Sequence, residues 1–483
     1  MSIIRQTITN PALCYAMSRY ATYGIQFINS LFIALYLGPV YLGIWGFVNL
    51  IVQYLSQINL GISHAVNTIA AINKRKVRYI SYVLGNSVSV LLIFSSIIGL
   101  LFFISHYFHL DFGEKYQFSK YSFLVLVIGV FAYFNNLFAN IFRIYGRILE
   151  MALSQSMLPL ATSIVLFLYR GEALLQAMVW AYVITSSISL LLFTTRLPIP
   201  VQLNFNKSLW LFIQKKGLHL FLYNTSFYLI IISTRSFISA YYKVEEFGLF
   251  TFAFSLASIM SLLLDSFTFL LWPKLINRLS TADHDANYQL LQKMRDIYVT
   301  ATHALMHLGI FIFPFFLLLF PGYRSSFGTF ALIILTTSLF ANSFGYQGLL
   351  IAKGKEREIG ILAFCCLLIN VLLCLVSIKI LQLSYDKVIL ATLITYAFYI
   401  VMLCISGRKI LHKSAGFGAV WKDIAPLPII IPFLLSLIFI VIQANPWLFI
   451  LPLLLYFLLN YSKIALFRTN ISELIKNPKT LEI

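Results

Sequence analysis

The sequence predicts an all-α integral membrane protein of about fourteen transmembrane helices, arranged as two pseudo-symmetric six-helix lobes plus two C-terminal helices. Three observations predict it. The 483 residues are 60% hydrophobic and 11% charged, against about 45–50% and about 25% in soluble domains. The apolar residues gather in runs of about 20, enough to cross a hydrocarbon core about 30 Å thick. The basic residues fall in alternate connections. Lipid offers no partner to backbone polar groups, so helices or closed barrels must do the spanning, and these runs are too long for barrel strands.

In chain order the apolar stretches centre on 16–37, 40–62, 80–105, 121–142, 150–169 and 174–195. A second series follows at 217–240, 248–272, 298–320, 329–351, 359–380 and 388–405, and two more come last at 427–443 and 447–467. This gives an N-lobe over 1–200, a C-lobe over 201–410, and two extra helices with a tail over 411–483. No cleavable signal sequence is evident, because the polar start with Arg5 leads into a span that already holds Arg19.

Charge sets the orientation. With the N-terminus inside, the inward connections hold 26 Lys and Arg, the outward ones 7, and the spans 2. That bias places both termini in the cytoplasm. On a soluble chain a net charge of +19 would suggest nucleic acid; here nearly all of it records orientation, and no nucleic-acid partner is expected. The cysteines Cys14, Cys365, Cys366, Cys374 and Cys404 lie in or beside apolar runs without metal-ligand spacing. The longest connection, 273–297, is too short for a folded domain. Catalysis by an appended soluble domain is therefore excluded.

Two similarities suggest an internal repeat. Gly43-Ile-Trp45-Gly-Phe47 in the second span resembles Gly248-Leu-Phe250-Thr-Phe252 in the eighth, 205 residues on. Tyr145-Gly146-Arg147 after the fourth span is matched by Lys353-Gly354-Lys355 after the tenth, at an offset of 208. A duplicated six-helix unit keeps its orientation, and a site is expected at the interface of the copies near the midplane.

Charged side chains at bilayer depth cost about 2.5–3.5 kcal/mol on insertion scales and usually face a cavity. Arg19, Arg235 and Asp265 are the clear cases. Arg19, Tyr23, Gln26 and Ser30 form one stripe on the first helix, and Asn49, Gln53 and Gln57 one on the second. Asn224, Tyr228, Arg235 and Ser239 share a face of the seventh, and Thr251, Ser255, Ser258 and Asp265 one of the eighth. Together they describe a hydrated cavity, with Arg19, Tyr23, Gln26, Gln53, Asn224, Tyr228 and Arg235 as its candidate substrate-binding residues. Snorkelling to water is the alternative for both arginines.

Arg19 and Asp265 are expected in the cytoplasmic third, as a gating pair that closes and opens the cavity. On the fourth helix Asn140 and Arg143 mark a cytoplasmic rim, though Arg143 also fits the ordinary inside bias. His303 and His307 have i, i+4 spacing, but Ala304 stands where a zinc protease has Glu, so a polar contact or a titrating pair is expected rather than metal. No phosphate-binding loop or nucleophile elbow is present, so ATP hydrolysis within the chain is not expected.

Residues 36–47 (Tyr-Leu-Gly-Pro-Val-Tyr-Leu-Gly-Ile-Trp-Gly-Phe), running on to Gln57-Ile-Asn-Leu-Gly61, resemble the opening of the O-antigen and polysaccharide flippases. The second half adds Glu245-Glu-Phe-Gly-Leu-Phe250, Trp272-Pro-Lys-Leu275, and Ala352-Lys-Gly-Lys-Glu-Arg357 followed by a helix with Asn370. The resemblance covers about residues 15–400. It implies membership of the multidrug/oligosaccharidyl-lipid/polysaccharide exporter superfamily, alternating access, a bacterial inner-membrane location and an undecaprenyl-diphosphate-linked oligosaccharide as cargo. It also implies a cationic central cavity, a role Arg19 and Arg235 can fill, and other polysaccharide-assembly membrane proteins and membrane lipids as partners.

An arginine fork suits diphosphate, since it donates two hydrogen bonds to phosphate oxygens. No cofactor is expected. One charge crossing 100 mV supplies about 2.3 kcal/mol, so proton or sodium coupling through Asp265 and a pull by downstream glycan consumption both stay open. Two other readings remain. A drug or cation antiporter of the same fold would favour acidic cavity residues. A membrane-embedded polymerase or ligase would need more than the outer loop with His106, His109, Asp111 and Glu114 provides.

Overall fold

The computed structural model describes residues 11–57, 59, 61–108, 113–281 and 283–464, and every long element in it is a helix. The first, α1 (Pro11–Gln57), is 47 residues long. At 1.5 Å per residue it would extend about 70 Å, more than twice the hydrocarbon core. Gly38 resolves this by breaking the helix at φ 69°, directly before Pro39. Only glycine enters that region freely, and the proline could not have continued the hydrogen-bond ladder. The first two expected spans are the two arms of this kinked helix.

The chain continues through α2 (Ile62–Ile72), α3 (Val77–Tyr107), α4 (Ser122–Ile144), α5 (Ile148–Leu168), α6 (Gly171–Thr195), α7 (Lys207–Tyr241) and α8 (Val244–Thr281). Next come α9 (His284–Phe316), α10 (Phe327–Ala341), α11 (Tyr346–Ala352), α12 (Glu356–Leu375) and α13 (Leu390–Ile410). The last are α14 (Phe417–Ile424), α15 (Leu427–Val441) and α16 (Ile450–Leu459). Among the described residues nine helices are long and apolar enough to cross a membrane, or ten if α14 and α15, bent by 72°, count as one span. This is a multi-pass, all-helical membrane protein.

The structure redraws three stretches. The polar connection 273–297 is not a loop: α8 runs to Thr281 and α9 begins at His284. The expected span 329–351 is two helices, α10 and α11, interrupted at 342–345. The connection 406–426 contains the amphipathic helix α14. In each case polar residues interrupt or extend an apolar run, so hydropathy placed the centre but not the end.

Large apolar side chains lie exposed along the flanks, with Leu100, Leu101 and Phe103 of α3 about 60% accessible. In water this would be an aggregation surface; in lipid it is solvated. Two compact units make up the chain. One comprises residues 1–225 with 242–251, the other 226–241 with 252–483. In the first, α1 packs on α4, α5 and α6. In the second, α10 and α12 pack on α13, and α16 lies against α9 and α15.

Candidate functional site

In the first unit the Arg19 Nε donates to the Tyr23 hydroxyl at 2.8 Å, its guanidinium 5.4 Å from that ring's centre. Their i, i+4 spacing on α1 makes this possible. Arg19 is half-buried and Tyr23 buried, and Gln26, Gln53 and Asn224 are half-buried. Gln57 of the α1 stripe meets Thr225 of α7, whose Oγ1 lies 3.4 Å from its Oε1. Thr225 is the neighbour of Asn224 and not itself a member of the seventh-span stripe, so this contact joins the two helices beside that stripe.

On α4 the Asn140 amide donates to the Ser63 carbonyl at 3.3 Å. Arg143 donates to Asn67 Oδ1 at 3.0 Å and to Asn140 Oδ1 at 3.1 Å. The expected rim residues thus fasten α4 to α2.

The same unit is packed tightly around residues 242–251. A methyl built on Gly248 would collide with the Pro39 carbonyl oxygen, one on Gly43 with the Val244 carbonyl, and one on Gly46 with the Thr251 hydroxyl. Helices meet this closely only where side chains are missing. Above the contact, the two 3₁₀ turns at 114–120 bring in Tyr116, stacked on Phe47 at 4.2 Å and edge-on to Phe247 at 5.8 Å. Lys115 donates to the Tyr242 carbonyl at 2.9 Å. Burial pushes the Tyr116 phenol up and the Lys115 ammonium down from their ordinary values. This loop is a strap; His106 and Glu114 are exposed, and His109 and Asp111 lie outside the described residues.

In the second unit Arg235 is 3% exposed, its guanidinium 4.5 Å from the centre of the Phe254 ring. It is enclosed by protein. Tyr228 on the same helix is half-buried. The Asp265 side chain lies outside the described residues, although α8 carries its backbone. One turn from Arg235, Asn370 of α12 donates to the Ile230 carbonyl at 2.8 Å and to Ser233 Oγ at 2.9 Å, and accepts from Thr395 at 3.3 Å. Thr234 and Thr392 close the cluster at 2.7 Å.

Two features of this unit escaped the sequence reading. One is a buried knot around Asp423 of α14. Its carboxylate pairs with Arg408 and accepts from Tyr346 and from Gln292, the last at 2.9 Å. Arg295 donates to the Asp423 carbonyl and, at 3.1 Å, to that of Asn342. Asn342 in turn donates to the Ile424 carbonyl at 2.8 Å and meets His303 Nε2 at 2.8 Å. Arg295 thus satisfies the Asn342 carbonyl at the interruption between α10 and α11, and the Asn342 side chain ties that turn to α14. The available signal was that Asp423 is the single acid among four bases in 406–426. His303 and His307 are both buried, and His307 Nδ1 lies 3.3 Å from Ser436 of α15.

The other feature is a cavity of about 310 Å³ ringed by Phe227, Tyr298, Phe340 and Tyr396. Among the described residues, no charged side chain lines it.

Residues 9–274 match the family described as "Polysaccharide biosynthesis protein". Among solved structures, the chain is similar to the lipid II flippase MurJ in an inward closed conformation, at 16% identity and TM-score 0.68 over 95% of this chain and 99% of that one. It is also similar to an inward-facing multidrug resistance MATE family transporter of the MOP superfamily, at 16% identity and TM-score 0.63 over 84% and 99%. A third, at 16% identity and TM-score 0.54 over 85% and 95%, is a MOP superfamily transporter from Pyrococcus furiosus whose binding pocket is described as reversed in polarity. No curated protein matches.

Proposed function

Because this chain belongs to the polysaccharide biosynthesis protein family and has the fold of the MOP transporters, we propose that it flips an undecaprenyl-diphosphate-linked oligosaccharide by alternating access. The glycan, an O-antigen or related polysaccharide repeat unit, passes from the cytoplasmic to the periplasmic leaflet of the bacterial inner membrane. Fourteen spans serve this reading, six in each lobe and two more at the C-terminal end, with both termini cytoplasmic. The observation that carries it is the enclosed Arg235, a cation retained inside an apolar helix, with Arg19 as its counterpart in the other polar stripe. The polyprenyl tail stays in lipid, so only diphosphate and glycan need a polar path. Each guanidinium offers the diphosphate paired donors.

In this reading Tyr23, Gln26, Gln53, Asn224 and Tyr228 line the path, Asn140 and Arg143 hold its cytoplasmic rim, and Arg19 and Asp265 form the gate. Coupling to a proton or sodium gradient through Asp265 is compatible with it. Other polysaccharide-assembly membrane proteins are its proposed partners.

Deleting the gene in its host and fractionating lipid-linked glycans tests the reading. Intermediates held on the cytoplasmic leaflet are expected; unpolymerised units already outside would instead identify a polymerase. In proteoliposomes, Arg235→Gln is expected to slow flipping about tenfold or more, as loss of a charge-assisted phosphate contact should. Exchange of Arg19→Asp with Asp265→Arg is expected to restore part of what each single change removes. An inserted but inactive double variant counts against that gate. The likeness to MATE transporters supports a second reading, cation antiport, which predicts instead that Asp265→Asn abolishes transport while Arg235→Gln spares it.

A further inference from the structure

The cavity of the second unit is too selective in its lining to be a packing defect. Phe227 stacks on Tyr396 at 5.5 Å with 9° between the rings and lies 4.6 Å from Phe340. Tyr298 is backed by Phe344, stacked at 4.1 Å. Backing of this kind holds the rings rigid, so the aromatic part of the wall is fixed in place. Met260 and Met306 fill the gaps between them with adaptable thioethers.

Hydroxyls interrupt the apolar wall. Thr302 donates to the Tyr298 carbonyl at 2.8 Å and Thr337 to the Ile334 carbonyl at 3.0 Å. Their hydrogens are therefore committed, and what they offer a ligand is acceptor lone pairs.

Three ligand classes can be weighed against this lining. A diphosphate or an acidic sugar would find no counter-charge among the described lining residues, which is costly away from water. A hydrocarbon chain would cover hydroxyl acceptors and return nothing. A neutral sugar ring fits both surfaces: its axial C–H face lies flat on an aromatic plate, while its edge hydroxyls donate. The volume, about 310 Å³, lies at the lower end of the roughly 300–1,000 Å³ of small-molecule sites, enough for one ring and a substituent.

We propose that this cavity is a glycan subsite for a neutral pyranose carrying a methyl or acetamido group, with the methyl held among Met260, Met306 and the ring faces. The proposal rests on the flippase reading and adds that selection acts on one uncharged sugar, separately from the diphosphate.

The test uses the full chain in nanodiscs and saturation-transfer NMR with three probes: N-acetylglucosamine, glucuronic acid and farnesol. Transfer is expected to the acetyl methyl and one ring face of N-acetylglucosamine, and none to glucuronic acid. Phe227→Leu and Tyr396→Leu should weaken it about three- to tenfold each, the worth of a lost aromatic plate. Tyr396→Phe retains the plate and should retain the signal. Ala257→Met adds side-chain atoms at the cavity wall and should abolish the signal in a protein whose thermal unfolding shows that it stays folded.

Equal transfer to glucuronic acid, displacement by farnesol, or a full signal from Ala257→Met overturns the proposal. The two readings separate cleanly. Wild-type proteoliposomes that move no lipid-linked glycan, yet give the acetyl signal, remove the flippase reading and leave the subsite. Proteoliposomes that flip glycan at the same rate with Ala257→Met as without it remove the subsite.

Discussion

Gly248→Leu is expected to insert into the membrane and to lose transport by more than about tenfold. The native contact sets the Gly248 backbone of α8 against the Pro39 carbonyl at the kink of α1, with Gly43 against Val244 beside it. Neither partner is the end of a flexible side chain, so an added Cβ can be accommodated only by moving backbone. Overpacking of this kind typically costs about 1–3 kcal/mol. Leucine adds further atoms with nowhere to go.

The measurement is labelling of Thr251→Cys by a membrane-impermeant thiol reagent. Thr251 is buried against Gly46, and in a chain whose native cysteines, such as the exposed Cys365, are changed to Ser, its cysteine should be protected and become reactive when Gly248→Leu is added. Continued protection together with full transport would show that the close approach carries no function. Tyr116→Ala should act in the same direction more weakly, since it removes the ring wedged between Phe47 and Phe247 without creating a clash.

Asp423→Ala is expected to destabilise the second unit by about 3–5 kcal/mol, the usual cost of removing one partner of a buried ion pair. The Arg408 and Asp423 side chains are 8% and 6% exposed, so water cannot replace the lost carboxylate. Tyr346 and Gln292 lose an acceptor in the same step. The readout is the thermal unfolding midpoint of the detergent-solubilised protein. Pairing the change with Arg408→Ala should recover part of the loss, because the orphaned charge disappears with its partner. A midpoint unchanged by Asp423→Ala alone would mean that the knot contributes little.

These sites differ in how far the sequence disclosed them. Composition and charge bias suffice for a multi-pass helical protein, because lipid allows so few alternatives. The Arg19–Tyr23 bond was legible from i, i+4 spacing, a local property of one helix. The Gly43 and Gly248 motifs stood out as a repeat, but their meaning, close approach of backbone, required coordinates. Asp423 stayed hidden among loop residues because its partners Gln292, Arg295, Tyr346 and Arg408 come from three other helices. No local period encodes such a convergence. The aromatic cavity was invisible for the opposite reason: among 44 Phe and 28 Tyr, no pattern separates rings that line a hollow from rings that face lipid.

The knot also bears on how the chain is made. Arg295 finds its acceptor at Asp423, 128 residues later. At about 5–20 residues per second of synthesis, roughly 6–25 s pass between the emergence of the two. For that interval α9 carries a cation whose final partner does not yet exist, and the Asn342 amide lacks the Ile424 carbonyl it later donates to. Completion of α14 is thus expected to be the step that stabilises α9 to α11. Released, truncated chains ending before Phe417 should be cleared by membrane proteases, whereas released chains extending through Ile424 should persist longer.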